Sequence, residues 1–448
     1  MKQRTWPSIY IAALLLFCLL VSLSSYGVAE LHQGHFWGIG SRYTGTAVIL
    51  QFVLLTLLMF GIWYCLNQFF HKEYVQWVLL VGIVIRLLLI PVEPYTSNDV
   101  DRYLFDGRLL WEGYDPYTTN HEAEELIPLR ALWQPPSEHA AYVTLYPPLS
   151  LSLFALAASA GHEWAQWVWK AMLAIAGIVS LLLMAKLLKY RQQERYLPLF
   201  ALSPILLIEG GVGAHIDGFS TLAVVAALYM WFRARWWFCG MCIALGALTK
   251  FLPLVLLGPI FLVAPNLASK AKLVFGFLGT VFLAYSIFFM LGLRPVGSLA
   301  VFFEKWRFGS PVFSFLEQLF HPSSLVMVIP VLMVSIMAFL GFYIWMSPKT
   351  EKEERALLGC QWALAAPLLL SPVVFPWYLM TLVPFSSLVP TAPIVLWLFA
   401  IPFTYEVLGQ FACCSDWSPA AWPIWLVAMS LLLGFVFNII RKRTCLVC

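Results

Sequence analysis

The chain predicts an all-α fold, a polytopic bundle of transmembrane helices, and three observations carry that prediction. Of its 448 residues, 61% are hydrophobic and only 11% are charged. Its mean hydropathy is +0.82. Apolar runs long enough for about 30 Å of hydrocarbon recur from end to end. No polar, loop-rich block is long enough for a separate soluble domain, so residues 1–448 read as one membrane-embedded domain.

The hydropathy pattern predicts about 14 spans, at 8–29, 47–69, 74–92, 164–188, 196–210, 214–232, 236–251, 252–266, 273–293, 323–346, 357–373, 376–390, 393–410 and 420–440. The first follows Lys2 and Arg4 and lacks a small-residue cleavage site before Glu30, which reads as a retained helix. Basic residues orient the set: Lys2 and Arg4, His71-Lys72, Lys189 to Arg195, Arg233 and Arg235, Lys270 and Lys272, Lys349 to Arg355, and Arg441-Lys442-Arg443 all belong inside, with both termini. The run from Tyr146 to Gly161 would invert every later loop if it crossed. It opens with Pro147-Pro148 and is short, so it is expected to lie on the outer surface. Pro253 is expected to break 236–266 into two short helices near Lys250.

This scheme gathers the unusual polar residues at one face. The densest group is Ser97-Asn98-Asp99-Val100-Asp101-Arg102-Tyr103-Leu104-Phe105-Asp106-Gly107-Arg108. Carboxylates can take a proton from an acceptor hydroxyl, and arginines can hold a departing phosphate. Together they suggest group transfer from a phosphate-linked donor. Because the face is extracytoplasmic in this scheme, the donor must be carried by lipid, as polyprenyl-phosphate sugars are.

Several motifs in order resemble the integral-membrane GT-C glycosyltransferases, close to the bacterial polyprenol-phosphate-mannose-dependent, family 87-like group. Asn98-Asp99, Arg102-Tyr103, Asp106-Gly107 and Gly113-Tyr114-Asp115-Pro116-Tyr117 are similar to that family's first external loop, here 93–163. Tyr146-Pro147-Pro148-Leu149 resembles the helix start after it, Gly213-Ala214-His215-Ile216-Asp217 a Gly-His-x-Asp element, and Leu248-Thr249-Lys250 a short lysine-bearing helix. Lys305-Trp306-Arg307-Phe308, in a second external loop at 294–322, and Ser371-Pro372 with Pro376-Trp377-Tyr378 echo later loops. The family usually carries paired acids where this chain has Asn98-Asp99, which leaves Asp99 as the matching acid.

The resemblance implies a GT-C bundle with extracytoplasmic juxtamembrane helices in a bacterial inner membrane. It implies transfer of a sugar, mannose by analogy, to a hydroxyl of a glycan, lipid or protein acceptor by single displacement with inversion. Asp99 would be the general base, while Arg102, Arg108, Lys250 and Arg307 would hold the donor phosphate. Asp101, Tyr103, Asp106, Tyr146, His215, Asp217, Trp306, Trp377 and Tyr378 would bind substrate or support the site.

Each assignment has a plainer alternative. Asp99 also suits a helix N-cap, Asp101 and Arg108 an interfacial charge pair, His215 and Asp217 a satisfied helix start, and Lys250 a snorkelling side chain. Trp306, Trp377 and Tyr378 also suit an interfacial aromatic belt. Glu209 and Glu406 match no motif and read as paired or interfacial groups. No cofactor is required; a divalent cation on Asp99, Asp101 and Asp106 is the one open option. His32 and His35 lack the further ligands of a zinc site. Cys239 and Cys242 have redox spacing within an apolar run, Cys413-Cys414 lie outside where they can oxidise although adjacent cysteines rarely pair with each other, and Cys445-Leu446-Val447-Cys448 matches a prenylation box by chance. The rival functions are a transporter or flippase, a lipid-linked oligosaccharide ligase or polymerase, and a non-catalytic scaffold. Nothing suggests nucleic-acid binding.

Overall fold

The computed structural model describes residues 6–35, 40–68, 72–295 and 297–445. Lys2, Arg4, His71 and the tail Leu446-Val447-Cys448 lie outside them, and the side chains of Arg441, Lys442 and Arg443 are likewise not described. The described chain is helical, in the order α1 Trp6–His32, α2 Thr44–Gln68, α3 Lys72–Leu88, α4 Asp99–Trp111, α5 Ile127–Trp133, α6 Pro148–Ala158, α7 His162–Tyr190 and α8 Leu197–Ala201. A π-helix, Ile205–Val212, precedes α9 Asp217–Phe232, α10 Trp236–Thr249, α11 Leu257–Val263 and α12 Leu267–Met290. Then come α13 Leu299–Lys305, α14 Pro311–Leu319, α15 Pro322–Trp345, α16 Lys352–Leu369, α17 Val383–Leu388, α18 Ala392–Ala400, α19 Leu408–Cys414 and α20 Trp422–Cys445.

Seven of these stretches are long and apolar enough to cross a membrane, and eight if the bent pair Glu194–Ala201 and Ile205–Val212 counts as one span. The expectation of about 14 spans is therefore corrected. Hydropathy reports apolar runs, whereas crossing needs about 20 residues of continuous helix. The proposed spans 214–232 and 236–251 fold as helices of 16 and 14 residues. The 252–266 run forms a 5-residue 3-10 turn and a 7-residue helix, and 376–390 forms pieces of 7 and 6 residues behind Pro376 and Pro384. These pieces are largely buried within the bundle. By contrast, α12 and α15 expose Phe282, Met290 and Val334, as lipid-facing helices do.

The run after Tyr146 folds as the 11-residue α6, about 16 Å long, too short to cross. The break near Pro253 falls at Lys250, which is extended at φ −155°, ψ 132°. Cys413 and Cys414 are joined as a disulfide, against expectation, while Cys239 and Cys242 are free.

Two ends of the bundle differ in chemistry. At one end Arg191 pairs with Glu353 at 2.7 Å and with Glu354, and its guanidinium lies 5.0 Å from the Phe232 ring centre. At the other, the loops 93–163 and 294–322 join: Arg294 N–H donates to Asp115 Oδ2 at 3.1 Å, and Ser298 N–H to the Thr144 carbonyl at 3.2 Å. The 29-residue α7, about 44 Å long, separates them.

The second loop end is built on a close helix crossing. A Cβ on Gly107 of α4 would lie 2.2 Å from Phe154 C and 2.4 Å from Phe154 O of α6, both rigid backbone. Gly107→Ala is expected to force the helices apart and cost about 1–3 kcal/mol, the usual penalty of overpacking. Thermal unfolding in detergent checks it against Gly61→Ala, where a Cβ meets nothing within 4 Å and the unfolding temperature should not fall.

Candidate active site

Behind that crossing, Tyr103 stacks on Phe154 at 4.6 Å and meets Tyr146 edge-on at 5.3 Å and Trp169 at 5.8 Å. This aromatic floor fixes the first turn of α4. Asp99 is its first residue, and its backbone N–H donates to Ser97 Oγ at 3.3 Å. The preceding Asn98 occupies the cap position and donates instead to Glu138 at 2.7 Å, so Asp99 is not the N-cap. Its carboxylate sits where the helix dipole favours negative charge. Tyr103 hydroxyl donates to Asp99 Oδ2 at 3.1 Å, and His215 Nδ1 stands 3.4 Å from the same oxygen.

His215 is delivered by an unusual stretch of backbone. The π-helix ends with Gly213 N–H donating to the Ile208 carbonyl at 2.8 Å and His215 N–H to the Glu209 carbonyl at 3.0 Å. Any Cβ on Gly213 would lie 2.9 Å from His215 Nε2 and 2.4 Å from Thr96 Oγ1, so glycine makes room for the imidazole. Trp377 covers the ring's face at 3.9 Å with an 8° tilt.

Two residues further, Asp217 opens α9 and accepts from Lys250 Nζ at 2.8 and 3.0 Å through its two oxygens. The lysine also lies 3.6 Å from the Tyr378 ring centre. Ser150 of α6 donates to the Thr249 carbonyl at 2.5 Å, which fixes the end of α10 beside α6 and the Tyr146 segment that leads into it.

These groups surround one cavity of about 540 Å³, within the range of small-molecule sites. Asp99, Asp101, Arg102, Tyr103, Tyr146 and Lys250 line it, as do Trp306, Arg307, Trp377 and Tyr378. One wall is a run of rings: Trp377 on Phe375 at 4.3 Å, Phe375 on Phe308 at 4.6 Å, and Phe308 against Trp417 at 5.3 Å. Phe308 is held there by a two-bond parallel bridge to the 372–374 backbone, accepting from Val374 N–H at 2.8 Å.

Charges in the cavity are already oriented. Arg102 is buried and donates to the Tyr142 and Val143 carbonyls at 3.3 and 3.4 Å. Arg307 pairs with Glu317 at 2.6 Å at the more exposed rim. Asp101 is exposed towards the cavity, and the protein around it, followed by the nearby Glu93 carboxylate, raises its pKa to about 6. Burial, and then the Asp99 charge, pushes Tyr103 and Tyr146 far above the ordinary phenol range. Both therefore remain hydroxyl donors at any working pH. For His215 burial acts downward, but the Asp99 and Glu209 carboxylates outweigh it and the net shift is up.

Two expected site residues are not brought here. Asp106 lies two turns along α4, fully buried, with His121 Nε2 at 2.7 Å, where the pair pins the 112–145 loop. Arg108 is farther still, paired with Glu112 and 5.7 Å from the Trp133 ring centre. A helix rises 1.5 Å per residue, so their side chains leave the cavity although they share the motif. With Asp106 bound to His121, the three aspartates do not converge on a cation. Among the described residues no group of three or more His, Cys, Asp or Glu is arranged to hold a metal ion.

Sequence reasoning missed Glu209, Tyr405 and most of the aromatic wall. The signal for Glu209 was its own oddity, a carboxylate directly after Leu206-Leu207-Ile208, since an ionisable group in an apolar run usually has a task. Tyr405 lies 196 residues from Glu209, Trp417 packs on Phe308, and no local pattern marks either.

The long apolar helices make the chain a polytopic helical membrane protein, with a carboxylate and cations around one cavity. Residues 13–266, more than half of the chain, match the family described as alpha-(1->6)-mannopyranosyltransferase, N-terminal domain, and the chain belongs to that family. It is thus a GT-C mannosyltransferase, of the family that uses a polyprenyl-phosphate-mannose donor, and this displaces the transporter, ligase and scaffold alternatives. No curated protein and no solved structure matches the chain. The matched stretch contains Asp99, Arg102, His215, Asp217 and Lys250; Trp306, Arg307, Trp377 and Tyr378 lie beyond it.

Proposed function

We propose that the chain transfers mannose to a sugar hydroxyl by a single displacement with inversion, and that Asp99 is the base. The observation that carries this reading is the joint opening of Asp99, Arg102 and Lys250 into one cavity. The acceptor oxygen attacks the anomeric carbon and its proton goes to Asp99. The bond from that carbon to the phosphate oxygen breaks, and the lipid phosphate leaves with the electron pair. Lys250 and Arg102 stabilise the charge that develops on it, with Arg307 at the rim. The family's linkage makes the acceptor atom a 6-hydroxyl, carried on a glycan, lipid or protein. No cofactor enters this scheme.

The chain acts as one unit, residues 1–448, with the loops 93–163 and 294–322 on the extracytoplasmic side of a bacterial inner membrane and both termini inside. Support comes from charge rather than from counting spans. The Arg191–Glu353–Glu354 cluster, within loops rich in Lys and Arg, lies at the opposite end of α7 from the cavity, and such loops stay cytoplasmic. A lipid-linked donor fits an outward-facing site.

The test is the anomeric configuration of the product formed by purified protein in detergent, determined by NMR. Single displacement gives the configuration opposite to that of the donor. A product with the donor's own configuration would overturn the single step and the role of Asp99 as base.

A further inference from the structure

Beyond Asp99, a second carboxylate is in contact with the same imidazole. Glu209 is fully buried on the π-helix, and its Oε2 lies 3.4 Å from His215 Nε2, across the ring from Asp99. Its other oxygen, Oε1, accepts from the Tyr405 hydroxyl at 2.5 Å. His215 is itself fully buried, and both carboxylates approach it directly, at 3.4 Å. The backbone ties the pair as well, through the bond from His215 N–H to the Glu209 carbonyl.

Among the described residues, the other charges packed against His215 are already paired. Ser97 Oγ approaches Nε2 at 3.4 Å from the 93–98 loop, and Trp377 covers one face. On α9 the nearest acid, Asp217, is engaged by Lys250 through both oxygens. An imidazole with a carboxylate oxygen 3.4 Å from each of its nitrogens can pair with both only with a proton on each, as imidazolium. A buried carboxylate such as Glu209 in turn needs a cation and a donor, and His215 and Tyr405 provide them.

We infer that Glu209 is a positioning residue for mannosyl transfer, holding His215 as an imidazolium whose Nδ1–H fixes and keeps ionised the Asp99 carboxylate. The inference rests on the reading of Asp99 as the base. An imidazolium beside Asp99 favours the carboxylate form in a cavity walled by aromatic rings, where desolvation would otherwise favour the neutral acid. The net upward shift of His215 agrees with this arrangement. A π-helix, which disturbs the regular ladder, is a frequent device for aiming a functional side chain, and here it carries Glu209 towards His215 just past its end.

The experiment is the pH dependence of kcat for wild type and Glu209→Gln, with donor saturating and folding checked by gel filtration and thermal unfolding. Removing the second carboxylate should lower the alkaline limb of kcat by about one pH unit or more, the effect of one close opposite charge. The KM for donor should stay unchanged, since Glu209 does not line the cavity. A profile superimposable on that of wild type would overturn the inference. If Glu209→Gln does not fold, His215→Gln is compared with the double variant, which buries no lone carboxylate. Equal kcat and equal profiles are expected, because Glu209 acts only through His215. A further loss in the double variant would overturn it. Asp99→Asn is assayed in parallel: an active Asp99→Asn sinks the base assignment itself, whereas an inactive one beside an unshifted Glu209→Gln sinks this inference alone.

Discussion

Asp99→Asn should lower kcat by about 10²–10⁴-fold, the usual contribution of a positioned general base, while leaving the thermal unfolding temperature within a degree or two. The substitution keeps the shape of the side chain and an oxygen that can accept from the Tyr103 hydroxyl, whose bond is 3.1 Å in the native site. What it removes is the capacity to take a proton. The aromatic floor of Tyr103, Phe154 and Trp169 is untouched, so the cavity should persist and donor should still bind. Measured donor KM and kcat separate these effects: a fall in kcat alone is expected. Wild-type turnover by a folded Asp99→Asn would remove Asp99 from the mechanism.

Lys250→Ala should act on both fold and donor. Asp217 is fully buried and its two oxygens are held by the lysine at 2.8 and 3.0 Å. Deleting one partner of a buried pair leaves an uncompensated charge and costs about 3–5 kcal/mol. The expected result is a marked fall in unfolding temperature together with loss of transfer. The double variant Lys250→Ala with Asp217→Ala distinguishes the two roles. It removes the lone charge and should recover much of the stability, yet its KM for donor should remain raised about 10–100-fold, the worth of a charged hydrogen bond to phosphate. A double variant with wild-type KM would restrict Lys250 to holding Asp217.

What the sequence could and could not convey follows from the range of each signal. Asp99, Arg102, Tyr103, Tyr146, Lys250, Trp377 and Tyr378 were all selected from local motifs, and the fold brings them to one cavity. Lys250 was legible because a proline three residues on breaks the helix and strands the charge there. The span count was not legible, because Asp217–Phe232 and Trp236–Thr249 are as apolar as true spans and differ from them only in where the helix stops. Asp106 and Arg108 share the motif of Asp99, but their partners, His121 and Glu112, are set by loop packing and helix phase. Glu209 was visible as an anomaly without a role. Its partner Tyr405 lies 196 residues away, a distance no pattern of charges or hydropathy spans.

In the proposed mechanism the mannosyl phosphate sits in the cavity between Lys250 and Asp99. The most direct measurement is an electron cryomicroscopy structure of the wild-type protein with a non-transferable polyprenyl-phosphonate analogue of the donor. The phosphonate is expected against Lys250 and Arg102, with the anomeric carbon open to an acceptor oxygen held by Asp99. A phosphonate bound at Arg108, or a sugar seated outside the cavity, would contradict that mechanism.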